Sequence, residues 1–408
     1  MGLWEKYKST SLFKKIFIAL ILGALAGAIF GEKILIISPL GKIFVNLLRM
    51  AALPLIFVNL IAGISSMSDT KILGRVGGKI FIYYLFTTIF ALIVGLVTAA
   101  ILKPGVGFEL QGEFTAAIEK VPTLGDTIVE LLPRNVFAAF SSGRVDQIII
   151  FALFIGIAIL FLKNDQKTYL SNLFENLASV FRKLIWIVMG YAPIGVFALI
   201  ASTVGRYGSQ LVGFVTKYVA ATYISVIVMF IVYTILVMVF AKMSPRKFYK
   251  AAGPVIVTTL STSSSMATIP ITLIAADNLD VPKSVSSFTI PLGAQMNKDG
   301  NGIMLAISFL AVSQAVGVPI PFGVLLKVIF LGLILTTGSG GVPGGGIVTI
   351  AIIVDAFGLP LELIGVIAGI FGIIDMGLTT ANCFGDLVGT TIVGRSEAAR
   401  IAKEEATT

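Results

Sequence analysis

Ile373-Ile374-Asp375-Met376-Gly377-Leu378-Thr379-Thr380-Ala381-Asn382-Cys383-Phe384-Gly385-Asp386 is the stretch whose reading decides the fold. It lies inside an apolar run, residues 361–393, of bilayer-spanning length. On a helix, Asp375, Thr379, Asn382 and Asp386 fall at intervals of four, three and four, so they share one face. Leu378 borders that face. A carboxylate at membrane depth is costly unless it meets a cation, a donor or water. A polar stripe can also glue helices together, but that role rarely needs two acids. The stripe reads as a binding site for something cationic within a membrane.

The remaining composition sets that stretch in a polytopic membrane protein. Of 408 residues, 57% are hydrophobic and 12% charged, with a mean hydropathy of +1.00. Lys6, Lys8, Lys14 and Lys15 precede an apolar run that continues past signal-peptide length without a clear cleavage site, so it is expected to stay as a first helix. The net charge of +9 sits mostly in short loops, where it sets orientation rather than recruiting nucleic acid. There is no histidine, which excludes a histidine-based metal site or proton relay. The single cysteine, Cys383, excludes an internal disulfide. The glycine cluster Gly338-Ser339-Gly340-Gly341-Val342-Pro343 departs from a dinucleotide motif because it ends in proline. A membrane enzyme would need a nucleophile–base pair, and neither Cys383 nor the serines have a histidine partner. A channel would need a continuous pore with symmetric filter residues.

Apolar spans are predicted at residues 16–30, 41–64, 80–102, 145–162, 184–204 and 211–240. Basic residues mark alternate loops: Lys71, Arg75 and Lys79; Lys163, Lys167, Arg182 and Lys183; Arg246, Lys247 and Lys250; and Arg395, Arg400 and Lys403 at the end. The loop after the third span carries Glu109, Glu113, Glu119, Asp126 and Glu130 instead. The positive-inside rule then puts both termini in the cytoplasm. After Lys250 the pattern breaks. Segment 251–274 is interrupted at Ser261 through Ser265 and at Pro270, segment 284–316 at Asn297-Lys298-Asp299-Gly300-Asn301, and segment 321–357 at Thr336 through Gly346. Two of these read as hairpins that enter the membrane and turn back. Irregular backbone survives at that depth only where it is buried in protein or lines a cavity, and broken helices mark transporter sites. Exposed N–H groups at the serine-rich tip suit a carboxylate, and unwound carbonyls with nearby aspartates suit a monovalent cation.

These segments, in this order, resemble the glutamate and neutral amino acid transporter family, the dicarboxylate/amino acid:cation symporters. Met50-Ala51-Ala52-Leu53-Pro54-Leu55-Ile56-Phe57 looks like the second helix of that family and Tyr191-Ala192-Pro193-Ile194-Gly195-Val196-Phe197 like its fifth. Ser263 through Pro270 resembles the first hairpin tip, Gly341 through Gly346 the second, and Asp375-Met376-Gly377 with Asn382 through Asp386 the eighth helix. The resemblance implies an all-α polytopic fold of eight transmembrane helices plus two re-entrant helical hairpins, with inverted repeats. It implies a homotrimer in the cytoplasmic membrane, its partners being lipid and a small amino acid, and no enzyme activity. It divides the chain into scaffold helices 1–2 at residues 1–75, transport-domain helix 3 at 76–103, scaffold helices 4–5 with an extracellular loop at 104–205, and the rest of the transport domain at 206–408. The transport domain is expected to move as an elevator, with the second hairpin as gate.

Residue roles follow from the same resemblance. Asp375 matches the acid that holds the substrate ammonium, with Thr379 and Asn382 beside the substrate backbone. Ser264 and Ser265 lie where the first hairpin meets the substrate carboxylate, and Gly341 and Val342 match second-hairpin contacts. Asp386, Asn382 and carbonyls near Asn297 match one sodium site. Asn297, Asp299, Thr87, Thr88 and the Tyr84 carbonyl match another, and carbonyls around Gln295, Thr336, Thr337 and Ser339 a third. No cofactor is implied beyond sodium as coupling ion.

Three departures shape the functional expectation. Leu378 stands where members that take acidic amino acids carry arginine. Asn297-Lys298-Asp299-Gly300-Asn301 stands where many read Asn-Met-Asp-Gly-Thr. Met266 stands where a small residue or serine is usual. Leu378, Met266 and Val342 could line an apolar pocket, with Asn301 offering a polar contact. The expected function is elevator transport of a neutral, apolar amino acid. Lys298 would take an electrostatic niche otherwise filled by sodium, weakening or replacing sodium coupling and allowing proton coupling or exchange. The alternative is a sodium-coupled symporter, including one for acidic amino acids or dicarboxylates. If Asp375 holds an ammonium, Asp375→Asn abolishes uptake of radiolabelled amino acid into proteoliposomes while the protein stays folded by size-exclusion chromatography. Normal transport by that variant would remove the assignment.

Overall fold

The computed structural model describes residues 12–65, 71–108, 132–142, 144–208, 210–338 and 345–405. Every regular element among them is helical. Helix α1, Leu12–Phe30, runs through a 3-10 helix, Gly31–Ile37, into α2, Ser38–Ser65. Gly31 makes the corner with φ +54°, a conformation that a side chain would strain. Then come α3 (Lys71–Leu102), the single-turn α4 (Val136–Ser141), α5 (Val145–Leu160), α6 (Asn164–Tyr207) and α7 (Gln210–Phe240). The C-terminal half is cut into shorter pieces: α8 (Pro245–Thr262), α9 (Ser265–Asp277), α10 (Lys283–Met296), α11 (Asp299–Ala315), α12 (Phe322–Gly338) and α13 (Gly345–Ala356). Helix α14, Glu362–Glu405, closes the described chain.

Among the described residues, Lys14–Phe44, Arg75–Leu102, Asn164–Arg206, Leu211–Phe240 and Glu362–Ala398 are long and apolar enough to cross a bilayer. The apolar pieces Ser265–Asp277, Phe322–Thr337 and Gly345–Ala356 are too short to cross alone. Packing falls into two groups. Helix α6 lies against α1 and α2, with α5 on α2. The α1–α6 approach is so close that a Cβ at Gly27 would stand 2.5 Å from the Ala201 carbonyl. In the other group α3 packs on α11, and α14 packs on α7, α8, α10 and α11. The groups meet where α14 touches α6 and where α12 and α13 touch α2.

The interruptions are shorter than the sequence suggested. The first hairpin turns at Ser263, in the left-handed region at φ +47°, and Ser264 caps α9 by accepting from the Ala267 N–H at 3.3 Å. Pro270 does not break the segment; it sits inside α9, where it forgoes one backbone bond. The second segment departs from helix only at Asn297 and Lys298, so Asp299, Gly300 and Asn301 already belong to α11. Thr336 and Thr337 lie inside α12 rather than in an unwound tip. Ser339, Gly341 and Val342 fall outside the described residues. The span predicted at 184–204 begins far earlier, because the polar stretch from Asn164 extends it as one 44-residue helix.

Arg75 and Lys79, read as loop charges, are helical in α3. Their side chains reach Glu397 near the end of α14, with Arg75 Nε at 2.7 Å and Lys79 Nζ at 2.5 Å from its two carboxylate oxygens. Glu397 is 1% exposed, so removing its charge takes a buried carboxylate from both Arg75 and Lys79. Glu397→Gln is expected to cost about 2–3 kcal/mol and to lower the melting temperature in a fixed detergent by roughly 5 °C. An unchanged melting temperature would show that the clamp contributes nothing.

Candidate functional site

The stripe on α14 is assembled as its spacing predicts. Thr379 Oγ1 donates to Asp375 Oδ1 at 3.0 Å, on a partly buried edge of the helix. Asn382 and Asp386, deeper and 2% exposed, meet the unwound Asn297. Asn297 Nδ2 donates to Asp386 Oδ1 at 2.8 Å and to the Asn382 carbonyl at 3.2 Å. Asn382 Oδ1 accepts the Gly300 N–H at 2.7 Å, satisfying a donor that the first turn of α11 leaves open. Helix α14 therefore supplies three acceptors to the break. Gly300 is required by this approach, since a Cβ there would run into the Leu378 main chain.

Asp299 opens α11 and is fully buried. Its Oδ1 accepts from Thr87 at 3.2 Å and Thr88 at 2.7 Å, and its Oδ2 from the Tyr233 hydroxyl at 2.5 Å. The Tyr84 carbonyl accepts from Thr87 Oγ1 at 3.3 Å. Thus Tyr84, Thr87, Thr88, Asn297 and Asp299, far apart in sequence, converge. Asn297 Oδ1 is buried with no hydrogen-bond partner among the described residues. Flipping the amide would set this oxygen against two acceptors and leave the nitrogen orphaned instead, so the assignment stands on chemistry. A buried, unpaired oxygen on an unwound segment near a carboxylate, hydroxyls and a carbonyl fits a hard monovalent cation such as sodium.

Lys298 Nζ, 3% exposed, donates to the Ala294 carbonyl at 2.6 Å. That carbonyl belongs to the last turn of α10, where the helix dipole favours positive charge. Among the described residues Lys298 makes no ion pair with Asp299, Asp375 or Asp386. Gln295 Nε2 reaches Met266 Sδ at 3.5 Å, linking α10 to the first hairpin tip. Ser265 opens α9 at the first hairpin tip, and Ser264 is used as a helix cap. Thr336 and Thr337 direct their hydroxyls to carbonyls of their own helix, at Gly332 and Leu333. They are not drawn into the cluster around Asn297 by those bonds. Asn301 lies partly buried in the first turn of α11. Of the expected apolar wall, Leu378 is fully buried and Met266 is 48% exposed, and Val342 lies outside the described residues.

Three tyrosines were not singled out from sequence. Tyr233 on α7 holds Asp299, Tyr83 on α3 donates to the Gly385 carbonyl at 3.1 Å, and Tyr223 on α7 donates to the Ile373 carbonyl at 2.6 Å. Each follows the aromatic composition of an apolar helix, so no local pattern marks it.

Residues 12–396 match the model of the sodium:dicarboxylate symporter family. The chain belongs to that family. The C4-dicarboxylate transport protein of Deinococcus radiodurans is 31% identical over 398 residues, which cover 95% of this chain and 89% of that one. The proton/sodium-glutamate symport protein of Geobacillus stearothermophilus is 30% identical, over 94% of both chains. The proton/glutamate-aspartate symporter of Escherichia coli strain K12 is 27% identical over 406 residues, covering 95% and 93%. Sodium:dicarboxylate symporters are transporters, not enzymes, and the apolar helices set this one in a membrane as a multi-pass protein. The names of these relatives specify acidic solutes, which lies nearer the alternative reading of the sequence than a neutral substrate with weakened sodium coupling. Gly300→Ala is expected to push α11 off α14, at a cost of about 2 kcal/mol or more, and to abolish uptake. Wild-type stability and uptake in that variant would contradict the contact described.

Proposed function

We propose that this symporter couples sodium entry to uptake of an amino acid. The observation that carries the coupling is the orphaned Asn297 Oδ1, on an amide whose nitrogen reaches Asp386 and which lies two residues before the hydroxyl-held Asp299. The observation that favours an amino acid is Asp375, partly buried on the polar face of α14 beside Thr379. A substrate ammonium would partner that carboxylate, whereas a plain dicarboxylate would meet it with like charge. Glutamate and aspartate in the names of two relatives agree with an α-amino acid. Sodium or proton coupling is also in those names.

A second reading concerns the side chain. The resemblance puts arginine at position 378 in members that take acidic amino acids, and this chain has a fully buried leucine there. An unpaired side-chain carboxylate in that setting would lose several kcal/mol, roughly a thousandfold in affinity. Leu378 therefore favours a neutral, apolar side chain, against the solutes named for the relatives. Lys298, seated on a helix-end carbonyl, fills one position that the resemblance gives to an ion. A fixed ammonium and a sodium ion a few ångströms apart repel by roughly 4 kcal/mol. The site around Asn297 and Asp299 remains, so the coupling stoichiometry is lower by one ion rather than zero.

The two packing groups support an elevator, with α3 and α7 through α14 moving against α1, α2, α5 and α6. We place it as a homotrimer in the cytoplasmic membrane with both termini in the cytoplasm. Uptake into proteoliposomes tests this reading. Replacing external sodium with choline should cut wild-type uptake at least tenfold. Lys298→Met should steepen the sodium dependence, and Leu378→Arg should shift competition from leucine towards glutamate by tenfold or more. Equal uptake in choline would overturn sodium coupling. Stronger competition by glutamate than by any neutral amino acid in the wild type would overturn the neutral side chain.

A further inference from the structure

A cavity of about 340 Å³ lies where helix ends meet, at the start of α2, the end of α6 and the start of α14. It is apart from the site above, because Glu362 on its wall precedes Asp375 by a length of α14 that spans about 20 Å. Ser38, Lys42 and Asn46 line it from α2, Ser202 and Arg206 from α6, and Glu362 from α14, over an apolar wall of leucine side chains. Among the described residues Lys42, Arg206 and Glu362 make no ion pair. Lys42, Arg206 and Glu362 are exposed at its rim. The cavity is of small-molecule size and carries two cations and one carboxylate.

We propose that this cavity binds a zwitterion, its anionic group on Lys42 and Arg206 and its primary ammonium on Glu362. Isolated charges of both signs facing one space are matched by a ligand carrying both, whereas a simple anion would leave Glu362 repelling it. The helices that end here cross the membrane, so the cavity stands at the level of lipid headgroups and within reach of water. Phosphoethanolamine headgroups and free amino acids share the chemistry. An occupant would bridge α14 to α6, where the two packing groups touch, and to the start of α2. It would thereby bias their relative position without entering the central site.

Thermal shift of the purified full chain tests the proposal with soluble phosphoethanolamine, glycine and inorganic phosphate as separate probes, in wild type, Arg206→Gln and Glu362→Gln. A ligand that binds the folded state raises the melting temperature. The expected result is a rise of at least ~2 °C with phosphoethanolamine or glycine, abolished in both variants. A response to phosphoethanolamine alone assigns the site to a lipid headgroup, and a response to glycine to a free amino acid. No rise with either zwitterion, a rise that survives in either variant, or an equal rise with inorganic phosphate would overturn it.

Discussion

The amide of Asn297 is the interaction on which the rest depends. A membrane protein cannot leave a helix broken at depth unless the freed polar groups are satisfied within the protein. Here the break between α10 and α11 is two residues long, and Asn297 closes it by donating both amide hydrogens to α14. Asn382 returns the favour to Gly300, so the two elements are stitched in both directions. Using up the nitrogen leaves the oxygen exposed to the interior and unpaired. An unsatisfied buried oxygen costs about 1–3 kcal/mol, and a bound cation would recover it. The constraint that closes the broken helix is thereby the one that leaves this oxygen open to a cation.

Lys298 alters that arrangement without dismantling it. Its ammonium caps the carbonyl end of α10 and leaves the aspartates to other partners. Asp299 is held by three hydroxyls and Asp386 by an amide, all from neutral donors. Neutral donors hold a carboxylate in place without cancelling its charge, which keeps it attractive to a mobile cation. A lysine salt-bridged to either acid would have cancelled it. The seat of Lys298 on the Ala294 carbonyl thus leaves Asp299 and Asp386 to neutral donors.

Much of this was legible because it obeys local periodicity. The i, i+4 spacing of Asp375, Thr379, Asn382 and Asp386 placed one face of α14, and the polar interruption at 297–301 marked the broken helix. The depth of each interruption was less legible. Pro270 reads as a breaker but is absorbed into α9, and threonines at 336 and 337 stay helical by bonding their own carbonyls. Partnerships across the fold were legible only where the resemblance supplied them, as for Thr87 and Thr88 with Asp299. Nothing beside Tyr233 predicts Asp299, 66 residues away, and nothing beside Arg75 predicts Glu397, 322 away. Met266 and Leu378 differ sharply in burial, which their shared apolar character does not foretell.

The central claim, that the Asn297 oxygen completes a sodium site, is tested most directly by thermal shift of the purified protein titrated with sodium chloride against choline chloride at constant ionic strength. Binding to the folded state alone must raise the melting temperature. The account predicts a saturable rise with sodium in the wild type, absent with choline and absent in Asn297→Ala. A melting temperature that is flat in sodium, or that rises equally in the variant, would contradict it.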